Sequence, residues 1–397
     1  MAQTHSLRRV LILADQSANW IVAGLRQLDR LALSINEFAV ENKETASVLV
    51  CIFWRPDLDQ SQRWAPKNPR LTRVTSTINL NTSSFDLVLS TRLFLYRKAV
   101  RQLMEALISP PEIISPISEK DLWESYSQRV ELLPSSRDGS WEYLTDGSQI
   151  DEVEMKFLRG CGKSQDGFVS RYLNRPTSRA VTRLLLKFPT TPNAWTLLIF
   201  PIPIAASIIL FHGSYWYFLW GLVLFHIFSV LDGCDGEIAR AKFLESEGGQ
   251  RLDDLCDILS NILLAIGLGF GLSRQAHLGG HSGSFYVVEG LAAAVLIGVN
   301  ESWLALEKSD INAVQSTSLG EALYPRHRAL VDRSGMLFFG EKFASWLIQL
   351  TKHDVAVLFF VLLAAIGQPA WILHLLFGVT AISLALAAKA FGRRRGH

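Results

Sequence analysis

The residues best suited to chemistry lie between Asp232 and Asp257, in the order Asp232, Asp235, Gly236, Ala239, Arg240, Gly249, Asp253 and Asp257. On a helix, Asp232, Asp235, Gly236 and Ala239 stand at i, i+3, i+4 and i+7 and share one face. Asp253 and Asp257, at i and i+4, share a face of the next helix. Four carboxylates converging between two helices would be costly near lipid and would protonate, so a cation is their natural partner. Hard oxygen ligands at this density favour magnesium, manganese or calcium over zinc. Gly236 and Ala239 remove side-chain bulk from the same face and leave space for a ligand close to the backbone. Arg240 is then placed to bind a phosphate oxygen. Ion pairing of interfacial Asp and Arg at helix ends explains one or two such residues but not the whole pattern. A cation pathway through a transporter predicts acidic residues spread over several spans at bilayer depth, whereas these cluster at one end with Arg240 beside them.

The elements that must position this cluster are apolar helices. About 20 apolar residues cross the hydrocarbon core of a bilayer, and six candidate spans satisfy that rule, near 194–212, 214–231, 252–272, 284–306, 343–366 and 369–390. Lys and Arg favour cytoplasmic loops. Arg171, Arg175, Arg179, Arg183 and Lys187 precede the first span, and Arg240, Lys242 and Arg251 lie between the second and third. Lys308, Arg326, Arg328, Arg333 and Lys342 lie between the fourth and fifth, and Arg393, Arg394 and Arg395 come near the end; the opposite loops contain only Arg274. This asymmetry predicts a multi-pass integral membrane protein with both termini and the acidic cluster on the cytoplasmic side. The polar segment 307–342 is expected to include a helix at the cytoplasmic interface. His353 and Asp354, which interrupt the fifth span, read as a helix-end ion pair.

The chain has 397 residues, 49% hydrophobic and 19% charged, with a net charge of +2, and its mean hydropathy is +0.20. A soluble domain carries about 25% charged residues, so part of this chain belongs in lipid. The figures exclude a disordered or disulfide-scaffold protein, and the balanced charge gives no reason to expect nucleic-acid binding. Cys51, Cys161, Cys234 and Cys256 have no CxxC spacing and read as reduced thiols in the core. The apolar run Val10 to Ala14 is too short for a signal peptide and reads as a first β-strand. With a helix near 20–38, strands at Ser47 to Trp54 and Leu87 to Ser90, and a helix near 97–108, it predicts a three-layer α/β domain over 1–160. A juxtamembrane linker at 161–190 and an all-α, six-helix membrane domain at 191–392 complete the expected organisation.

The order D-x-x-D-G-x-x-A-R, eight residues, G-x-x-x-D-x-x-x-D resembles the signature of the CDP-alcohol phosphotransferase (CDP-alcohol phosphatidyltransferase) family, whose members are membrane enzymes with six transmembrane helices. All eight specified positions are present. The resemblance implies that Asp232, Asp235, Asp253 and Asp257 hold two divalent ions, magnesium or manganese, bridging the pyrophosphate of a CDP-linked donor. Gly236, Ala239 and Arg240 would line the cytidine-diphosphate pocket, with Gly249 a further position of the signature, and Asp257 would act as general base on the acceptor hydroxyl. Such metals make the nucleoside monophosphate a better leaving group while a carboxylate takes the proton of the attacking alcohol; the products would be CMP and a phosphodiester. Pro192-Asn193-Ala-Trp-Thr196 also looks like a recurrent element of the family facing the same cavity, through Asn193 and Thr196. A plain reading is equally open, with Pro in the first helical turn and Asn and Thr as caps.

The polar, basic stretch from Gly162 to Ser178 looks like the linker of the archaeal and bacterial branch that joins a sugar-phosphate cytidylyltransferase domain to the phosphotransferase, as in di-myo-inositol-phosphate-phosphate synthase. There it would form an amphipathic helix on the membrane surface. Lys163, Arg171 and Arg175 are candidates to meet a phosphorylated acceptor, and anchoring to anionic membrane lipids is the alternative. Val22 to Leu31 is similar to the helix after the nucleotide loop of nucleotidyltransferases. The active elements are missing: Ala14 to Asn19 has no glycines to cradle phosphate, and Leu89-Ser90-Thr91-Arg92 stands where a Gly-Asp metal site would be. The N-terminal domain therefore reads as a degenerate cytidylyltransferase, a scaffold or partner-binding module, with a separate cytidylyltransferase as one candidate partner. The donor is either a lipid such as CDP-diacylglycerol or a soluble CDP-polyol, the acceptor an alcohol or polyol phosphate, and family resemblance implies a homodimer. An inactive paralogue acting as a scaffold is the remaining alternative, against which the complete carboxylate set argues.

Overall fold

The computed structural model describes residues 7–42, 47–78, 85–96, 99–100, 103, 118–131, 140–161, 168–312 and 353–394. The chain forms two compact units, one made mainly of residues 1–161 and the other of 162–185, 189–240 and 244–397.

The first unit is built on four parallel strands, β1 (Arg9–Ala14), β4 (Val48–Trp54), β5 (Val74–Thr77) and β6 (Leu87–Ser90), in the order β5-β4-β1-β6. Val10, Ile12 and Ala14 of β1 face the helix α1 (Gln27–Glu41) through Leu28, Leu31 and Ile35. The alternate residues Leu11 and Leu13 face α2 (Glu119–Glu131) through Tyr126 and Val130. Both faces of the sheet are thus covered, which is why β1 is an unbroken apolar run and not an alternating one. The helix expected near 20–38 begins only at Gln27. Ahead of it β2 (Ile21–Val22) and β3 (Leu25–Arg26) form a small antiparallel hairpin, turned at Ala23 and Gly24 with φ of 47° and 78°, a left-handed conformation incompatible with a continuing helix. The strands β7 (Leu93–Leu95) and β8 (Trp141–Tyr143) pair antiparallel, and α3 (Ile150–Gly160) follows. Most of the helix expected near 97–108 lies outside the described residues.

In parallel sheets ligands bind beyond the carboxyl ends of the strands where the strand order reverses, here between β1 and β6. That place is filled by the chain itself. Asp15 accepts from the Ser17 backbone N–H at 2.8 Å and from Arg92 Nε at 2.7 Å, and the hydroxyls of Ser17 and Thr91 lie 2.7 Å apart. All but Arg92 are buried.

The second unit opens with a single π-type turn, Ser170–Asn174, and α4 (Arg175–Leu185). The first expected span is two helices, α5 (Pro192–Ile199) and α6 (Pro201–Leu210), because Pro201 has no N–H to continue the ladder. Next come α7 (Tyr215–Ala241), α8 (Glu247–Leu278), α9 (Ser284–Asn312), α10 (His353–Ala365) and α11 (Pro369–Arg394). Among the described residues, three stretches are long and apolar enough to cross a membrane: Pro192–Leu210, Tyr215–Ala241 and Glu247–Leu278. Shorter apolar helices run at Ser284–Asn300, Asp354–Ala365 and Pro369–Ala385, and much of the fifth expected span, together with most of the interfacial segment 307–342, lies outside the described residues. Outward-facing Leu198, Trp216, Val295 and Ile382 stay exposed, as a lipid-facing surface requires. Small residues bring the helices together; a Cβ on Gly269 of α8 would lie 2.8 Å from the Tyr286 carbonyl and 3.0 Å from Gly290 Cα of α9. Polar pairs tie α9 to α11, with His374 Nδ1 2.7 Å from Glu289 and Ser383 donating to Asn300 at 3.1 Å. Asp354 accepts the Ser170 backbone N–H at 2.6 Å, and the side chain of His353, its expected ion-pair partner, lies outside the described residues.

Burial opposes the charge on Asp15, but the bonds from Ser17 and Arg92 outweigh it and hold the carboxyl below its usual range. A depressed folded pKa means stability that is present above the unfolded value near 4 and lost as pH falls through the folded value. Asp15→Asn should cost about 1–3 kcal/mol at neutral pH, and the wild-type advantage over the variant should shrink below about pH 4. Amide hydrogen exchange of Arg9–Ala14 in the intact protein, corrected for intrinsic rates, measures both.

Candidate functional site

The last turns of α7 carry Asp232, Asp235, Gly236, Ala239 and Arg240. A 27-residue helix is about 40 Å long, longer than the ~30 Å hydrocarbon core. The surplus of about two turns accommodates the polar end, so the helix runs on through the motif and does not stop near 231.

On its site-facing side, carboxylate oxygens of Asp232, Asp235 and Asp253 of α8 lie within 4.8 Å of one another. Metal–oxygen bonds of about 2.0–2.6 Å place opposed ligand oxygens about 4–5 Å apart, so this spacing fits one hard divalent cation. Asp257, a turn beyond Asp253, is outside that group of three. The donor set is oxygen only, which suits magnesium, manganese or calcium.

Two other helices brace this face. The side chain of Thr196 on α5 donates to Asp235 Oδ2 at 2.7 Å, and Trp195 donates to the Leu231 carbonyl at 2.9 Å. Thr196 is therefore not a helix cap; Thr191 has that place, its side chain accepting from Ala194 N–H at 3.4 Å, with Pro192 in the first turn. Asn193 lies against the first turn of α8, where a Cβ on Gly249 would come within 2.9 Å of its Oδ1. Glycine at 249 leaves that space clear for the Asn193 side chain. Ser246 caps α8 by accepting the Gly249 N–H at 3.1 Å, so the positive end of the α8 dipole belongs to this site. The Arg240 guanidinium lies over Gly236, whose Cβ would be 3.1 Å from Nη2; the absence of a side chain lets Arg240 lie close to the helix. Ala239 is half-buried on the same side of α7.

The basic residues ahead of the membrane separate. Arg171 is exposed, Lys163 lies outside the described residues, and Arg175 is buried, with Nη1 3.2 Å from Glu237 Oε1. Glu237, fully buried, was not singled out by the sequence. Its only signal was an acidic residue at an unspecified position of the motif.

Residues 189–387, half of the chain, match the family described as CDP-alcohol phosphatidyltransferase. The chain is 33% identical over 132 residues to the protein of Thermococcus kodakarensis named bifunctional IPC transferase and DIPP synthase, covering 33% of this chain and 29% of that protein. Proteins of the same name from Aquifex aeolicus and Rubrobacter xylanophilus are 38% and 34% identical over 101 and 135 residues. Those matches cover 25% and 34% of this chain and 22% and 30% of the relatives. The chain thus aligns with less than a third of the length of these relatives.

Thr196→Val removes the hydrogen bond that orients Asp235 while preserving shape. Loss of a partner that orients a metal ligand typically costs 10–100-fold in metal affinity. We expect weaker manganese binding of that order, read by electron paramagnetic resonance of the purified protein, with little change in helix content.

Proposed function

Because the chain belongs to the CDP-alcohol phosphatidyltransferase family, we propose that it moves a phosphoryl-alcohol group from a CDP-linked donor to a hydroxyl acceptor and releases CMP. The observation that carries this reading is the convergence of Asp232, Asp235 and Asp253 within 4.8 Å at the end of a membrane-length helix, beside Arg240. Asp232, Asp235 and Asp253 would hold one magnesium or manganese ion, and Asp257 would help to hold a second. When bound, these ions neutralise the donor pyrophosphate and improve CMP as leaving group. Gly236, Ala239 and Arg240 receive the cytidine diphosphate, with Asn193, Thr196 and Gly249 shaping the same pocket. Asp257 takes the proton from the acceptor hydroxyl. The acceptor oxygen bonds to the phosphorus that carries the alcohol, and the bond from that phosphorus to the bridging oxygen breaks, leaving CMP.

The name shared by the relatives favours a polyol-phosphodiester product over a phospholipid. A phosphorylated acceptor would be met by the exposed Arg171 and by Lys163. The protein spans the membrane six times, with both termini and the site on the cytoplasmic side, and pairs as a homodimer. The N-terminal domain is a degenerate cytidylyltransferase, because Asp15, Ser17, Thr91 and Arg92 bond to one another where phosphate would lie. It acts as a scaffold, and a separate cytidylyltransferase is its candidate partner.

Purified protein in detergent, given magnesium or manganese, should form CMP from CDP-inositol or from CDP-diacylglycerol when offered polyol and polyol-phosphate acceptors. Asp253→Asn should lower turnover by about 100–1,000-fold, the usual cost of removing one electrostatic stabiliser. Asp257→Asn should lower it by about 100–10,000-fold, as loss of a general base does. Absence of both CMP formation and CDP binding in a folded protein would sink the enzyme reading.

A further inference from the structure

The last turns of α7 have a second face. Around the helix, Asp232, Asp235, Gly236 and Ala239 cluster on one side, and Gly233, Cys234 and Glu237 on the opposite one. The second side is packed against α4. The Glu237 carboxylate has no exposed surface, yet three side chains of α4 donate to it: Arg175 Nη1 at 3.2 Å, Ser178 Oγ at 2.9 Å and Thr182 Oγ1 at 2.7 Å. Arg175, Ser178 and Thr182 are themselves buried. They recur at about one helical turn, so a single stripe of α4 presents all three. The same stripe reads the backbone. Arg175 donates to the Gly233 carbonyl at 3.3 Å, and Cys234 Sγ donates to the Ser178 carbonyl at 3.4 Å. A Cβ on Gly233 would come within 3.0 Å of Arg175 Nη1.

We propose that Glu237, Arg175, Ser178 and Thr182 form a clasp that positions the metal-binding turn of α7, and that Arg175 is a positioning residue and not an acceptor ligand. The inference rests on the transferase reading for its kinetic consequences. The physical reason is rigidity. A buried, multiply bonded carboxylate admits few arrangements, and Glu237 is two residues from Asp235 on the same helix. With the clasp closed on one side and Thr196 bonded to Asp235 on the other, the turn cannot rotate to relieve repulsion among its carboxylates. With the clasp opened, it can.

The test uses the full-length protein with Glu237→Gln, Arg175→Gln and the double variant. Glutamine at 237 keeps an oxygen for Arg175 and Ser178 and an amide that can donate to Thr182, so this variant removes the charge without emptying the site. Manganese affinity is read by electron paramagnetic resonance, independently of turnover, and the KM for acceptor is read wherever CMP is formed. We expect each single variant to weaken manganese binding by about 10-fold, as loss of an outer partner does, with the acceptor KM within about twofold of wild type. The double variant should be no weaker than the worse single, as for residues acting as one unit. A rise in acceptor KM confined to Arg175→Gln would overturn the proposal in favour of acceptor binding. Unchanged manganese affinity with only a lowered melting temperature would reduce the clasp to a structural contact and overturn it too. Failure of the transferase reading shows separately, as absent turnover in a wild-type protein whose manganese binding still responds to Glu237→Gln.

Discussion

Negative charge collected at the carboxyl end of a helix is the constraint on which the second unit is built. That end already carries the negative pole of the helix dipole, yet α7 places Asp232, Asp235 and Glu237 within its last three turns, and Asp253 of α8 adds a fourth carboxylate. Carboxylates gathered so closely need compensating partners. The two sides of α7 meet this in different ways. On one side the protein supplies the partners, and Glu237 receives an arginine and two hydroxyls. On the other, Asp235 receives the Thr196 hydroxyl, and the grouped carboxylates fit a cation drawn from solution. Arg175 is held by Glu237 on the far side, with Nη1 3.2 Å from Oε1, so its charge lies away from the side that carries Asp232 and Asp235.

The helices around α7 follow from that arrangement. α5 is short because Pro201 ends it, and its first turns are all that the site needs: Asn193 against Gly249, Trp195 on the Leu231 carbonyl, Thr196 on Asp235. α8 presents its capped N-terminus to the same place and then runs on with glycines at the points of closest approach to its neighbours. Glycine serves two ends here. In mid-helix it permits backbone contact where lipid gives no hydrophobic drive to association, and at 236 and 249 it clears room for Arg240 and Asn193.

Much of this was legible in the sequence because it depends on local periodicity. Shared faces at i, i+3, i+4 and i+7, membrane-length apolar runs and the strands Val10 to Ala14 and Leu87 to Ser90 all follow from spacing and side-chain type. What was not legible depends on partners distant along the chain. Glu237 is 62 residues from Arg175 and 55 from Thr182, and nothing local marks an acidic residue between Gly236 and Ile238 as buried. Thr196 fits either a cap beside Pro192 or a position facing the acidic cluster, and the packing of α5 on α7, with the Thr196 hydroxyl 2.7 Å from Asp235, decides for the second. The hairpin before α1 was hidden for a different reason. Val22 to Leu31 carries helical periodicity throughout, and the left-handed Ala23-Gly24 turn overrides it for the first residues.

The first unit fills the crevice that its own topology leaves. The parallel order β5-β4-β1-β6 leaves a crevice beyond β1 and β6, and in this chain Asp15, Ser17, Thr91 and Arg92 bond to one another inside it. A phosphate entering there would have to compete with Asp15 for Arg92 and would meet a carboxylate where an anion needs backbone N–H groups. The Ser17 N–H that might have served is already donating to Asp15. Both units thus contain acidic residues at the ends of secondary elements, and what separates them is the fate of the charge. In the first, Arg92 bonds to Asp15 at 2.7 Å and closes the crevice, whereas in the second Arg175 bonds to Glu237 on the far side of α7 and three carboxylates group on the other at a spacing that fits a cation.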